Sequence, residues 1–162
     1  MFSRAAVALA AVVVMGARHA APVKVNDYMS YDPTTKTVTL KLYAALTSKQ
    51  GGFNFNGGAN GDQTITVPLG WQVNVDVWNK DAIPHSAIIW PDPLPTPQPD
   101  NASIGGAYTS QLAPQTGHDT MNFKTKTAGK YLMACGIPGH AASGMYIKFV
   151  VAPDGNPAYT GL

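Results

Sequence analysis

The chain of 162 residues is 45% hydrophobic and only 12% charged, with a net charge of +2 at pH 7. The charged share is about half that of an ordinary globular protein, and so small a net charge offers no footprint for a nucleic acid or other polyanion. The hydrophobic share excludes a charge-driven disordered chain, and the length suits one domain.

At the N-terminus Arg4 precedes an apolar run over residues 5–15, followed by Gly16 and Ala17. A positive start and a short apolar stretch form the layout of a secretory signal, too short for a comfortable membrane span. Arg18 and His19 stand where a cleavage site favours small residues. Residues 1–21 therefore read either as a cleaved signal peptide or as an uncleaved N-terminal membrane anchor. In both cases residues 22–162 are expected to form a single domain outside the cytoplasm, with its core at about 37–152. A lone cysteine has no disulfide partner and needs another use in an exported chain.

Beyond residue 21 the pattern is β throughout. Residues 37–43 (TVTLKLY) alternate with period two, as a half-buried strand does. One turn of helix at most is predicted over 44–49. Residues 51–61 (GGFNFNGGANG) form a Gly/Asn loop, with Phe53 and Phe55 pinning it to the body of the fold. A short strand over 64–67 ends at Pro68, and 72–78 (QVNVDVW) alternate again. The next apolar run, 85–90, begins with His85. Proline at every second position over 91–99 (PDPLPTPQP) cannot pair as a central strand and predicts a semi-rigid extended connector. His118 falls in a polar turn and is expected to be solvated; neither it nor His19 has the pattern of a ligand. Residues 121–127, 131–134 and 145–151 complete seven or eight strands. The expected class is all-β, a Greek-key β-sandwich of two sheets.

Chemistry concentrates in residues 135–145, CGIPGHAASGM. The only cysteine, Cys135, is followed after four residues by His140 and after four more by Met145. Taken singly, a buried Cys is usually a small core hydrophobe and a Met a gap filler. Core packing does not explain why all three share a loop broken by Gly136, Pro138, Gly139 and Gly144, which enforce a tight irregular turn. With one more imidazole, supplied by His85, the set becomes the trigonal His₂Cys site with a weak axial Met that binds copper. Structural zinc would want more thiolates, catalytic zinc three N/O ligands and water. Iron–sulfur clusters need several cysteines and c-type haem a CxxCH motif, both lacking here. The expected cofactor is one copper ion cycling between Cu(I) and Cu(II), held by His85, Cys135, His140 and Met145.

The ligand loop, the upstream His85 and the β pattern together resemble the cupredoxins. Within them, FNFNG at 53–57, PLGW at 68–71, AIPHS at 82–86 and the ligand loop look most like the sulfocyanins, with rusticyanin close behind. The resemblance implies a type 1 (blue) copper electron carrier of an extracytoplasmic respiratory chain, in a periplasm or on the outer face of the cytoplasmic membrane. It implies redox partners such as a cytochrome or a terminal oxidase, and His140 as the exit for the electron. The apolar neighbours Ile83, Pro84, Ile137, Pro138 and Ala141 are expected to exclude water and to present a docking rim. A monomer is the default for a small shuttle. In many cupredoxins an Asn follows the first histidine and ties the two ligand loops together. Here that residue is Ser86, whose shorter side chain is expected to alter the surroundings of the metal.

Two other functional classes fit the sequence less well. A copper-delivery protein would offer clustered Met and His motifs for rapid exchange, but the six methionines are scattered. A copper enzyme would need HxH or HCH motifs for further metal ions, and this chain of four histidines has none. The expectation is a carrier, not an enzyme.

Overall fold

The computed structural model describes residues 21–94 and 106–162. His19, the apolar run at the N-terminus and the second half of the proline-alternating stretch lie outside the described residues. Within them no helix is long and apolar enough to cross a membrane.

Ten strands appear among the described residues: β1 (Val23–Lys24), β2 (Met29–Asp32), β3 (Thr37–Ala44), β4 (Thr64–Pro68), β5 (Gln72–Asn79), β6 (Ile88–Pro91), β7 (His118–Lys124), β8 (Gly129–Ala134), β9 (Tyr146–Ala152) and β10 (Ala158–Thr160). They form two five-stranded sheets, ordered β1-β2-β3-β5-β7 and β10-β4-β9-β8-β6. β3 pairs with β5, and β4 with β9, in parallel; the other ladders are antiparallel. The all-β sandwich is as expected.

Alternation explains the core. Val38, Leu40, Leu42 and Ala44 of β3 and Val73, Val75 and Val77 of β5 are buried in one cluster with Ile147, Phe149 and Val151 of β9. Each Val, Leu, Ile or Phe among them stabilises the fold by about 1.5–3 kcal/mol when fully removed from water. Pro91 ends β6, an edge strand, where a missing N–H costs no ladder bond.

The structure departs from the sequence reading in several places. The strands β1, β2 and β10 were not anticipated, because runs of two to four residues show no usable period. The helical turn expected over 44–49 is instead a 3₁₀ turn at Lys49–Gly52. The run at 85–90 becomes regular only at Ile88. Before that, His85 bridges to Leu112, and Thr109 N–H donates to Ala87 O at 2.8 Å. The strand expected over 121–127 begins at His118 and ends at Lys124. Thr125 then turns away and its hydroxyl donates to Pro68 O at 2.8 Å while accepting from Trp71 N–H at 2.9 Å. His118 is not in a turn: it opens β7 opposite Trp78 and stacks on that indole with ring centroids 3.9 Å apart.

One consequence matters most for function. The stretch 135–145 is the connection between β8 and β9, so Cys135 directly follows one strand and Met145 directly precedes its antiparallel neighbour. The ligand loop is thereby held at one end of the second sheet, between two of its adjacent strands.

Candidate metal centre

Cys135 N–H donates to Met145 O at 3.0 Å, which clamps the base of the loop. Inside it, His140 N–H donates to Ile137 O at 3.1 Å and Met145 N–H to His140 O at 3.0 Å. These bonds curl the loop back on itself and tie Met145 to both other loop donors. Gly144 makes the curl possible: its φ is +95°, and a Cβ there would lie 2.4 Å from Asn60 Oδ1. Asn60 N–H donates to Gly144 O at 2.8 Å, so a neighbouring loop braces the turn.

His85 arrives from the other side. Asn79 continues the inward-facing series of β5 and is buried. Its Nδ2 donates to Ile83 O at 2.8 Å and to Ala113 O at 3.0 Å, while its Oδ1 accepts Asp81 N–H at 2.9 Å. A single amide thus fastens the 79–85 loop to the chain that pairs with His85.

The result brings three of the expected donors together. His85 Nδ1 lies 3.7 Å from Cys135 Sγ, His140 Nδ1 lies 3.4 Å from the same sulfur, and the two Nδ1 atoms are 3.2 Å apart. His85 and Cys135 are fully buried, and His140 is half-buried. A point equidistant from three atoms so spaced is about 2.0 Å from each, close to a first-row metal–nitrogen bond of about 2.0–2.1 Å. The triangle is the right size for one metal ion, and its one-thiolate, two-imidazole composition is that of a type 1 copper plane. Met145 is fully buried in the same cluster as Cys135.

The electrostatics agree. Burial pushes the Cys135 thiol up, so the thiolate needs a cation to persist there. Ser86 N–H faces the sulfur at 3.4 Å and would stabilise that thiolate. Burial, aided by the neighbouring His85, holds His140 below the usual imidazole range, in the neutral form a metal requires. The His85 ring N–H holds the Asp81 carboxyl below the ordinary carboxylate range.

Ser86 does more than its size suggested. Its hydroxyl accepts Gly136 N–H at 3.0 Å, joining the His85 segment to the ligand loop. A serine therefore still ties the two loops, with its backbone on the sulfur and its side chain on the next amide. Of the expected apolar neighbours, Ala141 is buried, Pro84 and Ile137 are half-buried, and Ile83 and Pro138 are exposed. Ile137 packs against the cluster that holds Cys135 and Met145, whereas Ala141 is buried in a separate cluster with Ile88, Trp90 and Ala134, so of the two only Ile137 lines the donor side.

Three further residues escaped the sequence reading. Phe53 packs edge-on against the His140 ring at 4.8 Å and the His85 ring at 6.4 Å between centroids. It also packs against the core in which the neighbouring Phe55 is fully buried, so both aromatics pin the loop as expected. Asn79 stands at an inward position of an alternating strand, a signal that could have been noticed. Asp81, whose Oδ2 lies 3.0 Å from His85 Nε2, gave no sequence signal beyond its nearness to a ligand.

Comparison with known proteins agrees with the geometry. Residues 24–160 match the sulfocyanin (SoxE) domain. A sulfocyanin of Sulfolobus acidocaldarius is 31% identical over 140 residues, which cover 80% of this chain and 70% of that protein. Rusticyanin from Thiobacillus ferrooxidans is similar in structure, with a TM-score of 0.53 at 28% identity over 72% of this chain and 82% of that one. Auracyanin from Roseiflexus castenholzii shares the fold, with a TM-score of 0.56 at 23% identity over 71% of this chain and 97% of that one.

Proposed function

Because the chain belongs to the sulfocyanin family, whose members are small blue copper electron carriers and not enzymes, we propose that it shuttles single electrons in a respiratory chain outside the cytoplasm. The observation that carries this reading is the closed donor set: His85 and Cys135 are fully buried, and only His140 reaches toward the surface. Such a site has no room for a substrate and one route for an electron.

Bound copper supplies a one-electron Cu(II)/Cu(I) couple. The residues do the rest. Cys135, His85 and His140 are held before metal arrives by strand ends and by the backbone bonds of the loop, so little has to move between oxidation states. Met145, buried in the same cluster as Cys135, would offer its thioether as a weak fourth donor. The half-buried Ile137, packed against the cluster of Cys135 and Met145, keeps water from the donors, which disfavours the more highly charged oxidation state. His140 offers its outer edge to a partner, and the exposed Pro138 beside it suits the small, transient contacts of electron transfer. The partner is a cytochrome or a terminal oxidase, and residues 1–21 are the secretory signal or anchor that places the domain on the outer face.

The test begins with an optical spectrum of the oxidised, copper-loaded protein beside Cys135→Ala, which should lack the intense thiolate-to-Cu(II) band. The protein is then mixed with respiratory membranes of its source. Its band should bleach when a respiratory donor is added and return with oxygen. A protein with the band that exchanges electrons with neither side overturns the respiratory role. One that keeps Cu(I), resists oxidation and passes the metal to an acceptor is a delivery protein.

A further inference from the structure

An imidazole ligand has a second nitrogen, and what that nitrogen meets decides how the first one binds. His85 turns Nδ1 toward Cys135 and His140, and its Nε2 meets Asp81 Oδ2 at 3.0 Å. A carboxylate only accepts hydrogen bonds, so Nε2 must carry the ring proton and Nδ1 must present its lone pair. The ring is fully buried, so no bulk water competes for Nε2.

The carboxylate is itself fixed. Its Oδ1 accepts Ala82 N–H at 2.6 Å. The Asp81 backbone N–H is held by Asn79 Oδ1 at 2.9 Å and its carbonyl by Gln115 N–H at 2.7 Å. Gly52 leaves the space: a Cβ there would stand 3.2 Å from Asp81 Oδ2, and the φ of +94° already favours glycine. The next residue, Phe53, covers both imidazoles. Strand end, loop and aromatic cover thus converge on one acid–imidazole pair.

We infer that Asp81 is a positioning residue of the copper site: it locks His85 in the Nδ1-binding tautomer, and its negative charge lowers the reduction potential. This rests on the type 1 copper reading and is independent of which partner the protein serves. The sign follows from charge. An anion on the far edge of the ligand ring stabilises Cu(II) more than Cu(I), so removing it favours reduction. A carboxylate or other partner behind a metal-bound histidine is typically worth about 10–100-fold in metal affinity. If that factor falls on Cu(II), the potential changes by about 60–120 mV, at 59 mV per tenfold for one electron.

The experiment compares wild type, Asp81→Asn and Asp81→Ala by optical spectroscopy, voltammetry and copper titration. Asparagine keeps an acceptor for Nε2–H and loses the charge. It should retain the thiolate-to-Cu(II) band with a potential raised by that amount. Alanine loses both features and should bind Cu(II) more weakly still. Unchanged potentials in both variants overturn the inference. A wild-type protein without the band fails the copper reading itself, so the two failures are distinct. If either variant does not fold, ¹H–¹⁵N spectra of the wild-type Cu(I) protein decide. A slowly exchanging proton on His85 Nε2 supports the pair, and a proton on Nδ1 refutes it.

Discussion

Ser86→Ala removes one oxygen from the seam between the two ligand segments, and its cost can be worked from the geometry. The hydroxyl accepts Gly136 N–H at 3.0 Å, at a position only 7% exposed. Alanine leaves that amide without its acceptor. Orphaning a buried backbone donor costs about 1–3 kcal/mol. Gly136 is half-buried and can recover some solvation, so the lower part of that range applies, about 1–2 kcal/mol. For a chain of this length that is a fall in Tm of about 2–8 °C. The Ser86 N–H that faces Cys135 Sγ belongs to the backbone and survives the change. Urea unfolding of the copper-free protein reads the effect without the stabilisation that bound metal adds. The midpoint should fall while the m-value stays constant. The copper-loaded variant should keep its charge-transfer band. An unchanged midpoint would refute the claim that this hydroxyl ties the two loops.

Two other outcomes follow from buried polar groups. Asn79→Ala deletes the amide that serves Ile83, Ala113 and Asp81, and should cost about 2–4 kcal/mol in the same urea assay. A loss below about 0.5 kcal/mol, the usual range of an inert surface change, would show that the 79–85 loop holds without it. Tyr159 donates to Gln63 Oε1 at 2.8 Å, and burial pushes its phenol up to about 12. Its folded pKa exceeds the unfolded value of about 10, so the stabilisation is complete below pH 10 and is lost as pH rises through 12. That loss is on the order of 2–3 kcal/mol, and Tyr159→Phe should flatten the alkaline limb of stability against pH. Identical limbs in the two proteins would count against the buried phenol.

Much of the centre was legible because it is local. Cys135, His140 and Met145 sit on one loop between two strands, and the spacing that curls it is written in Gly139, Gly144 and Pro138. The long strands β3 and β5 were legible for a similar reason: alternation over eight residues is a strong signal. Strands of two to four residues carry too few turns of the pattern, so β1, β2 and β10 emerge only from their partners. His118 shows the same limit, since its stacking on Trp78 depends on the register of β5 against β7.

The sequence by itself determined the donor types, their spacing, the apolar loop around them and the β-sandwich that carries them. Only the tertiary structure decided which groups stand behind those donors. Phe53 meets the His140 ring from a loop far away in sequence, and Ser86 reaches across to Gly136. Asp81 meets Nε2, rather than solvent, because Asn79, Gln115 and Gly52 hold that loop in place. A ligand's identity is a property of its residue, but its tautomer, charge and dryness depend on what the fold packs against it.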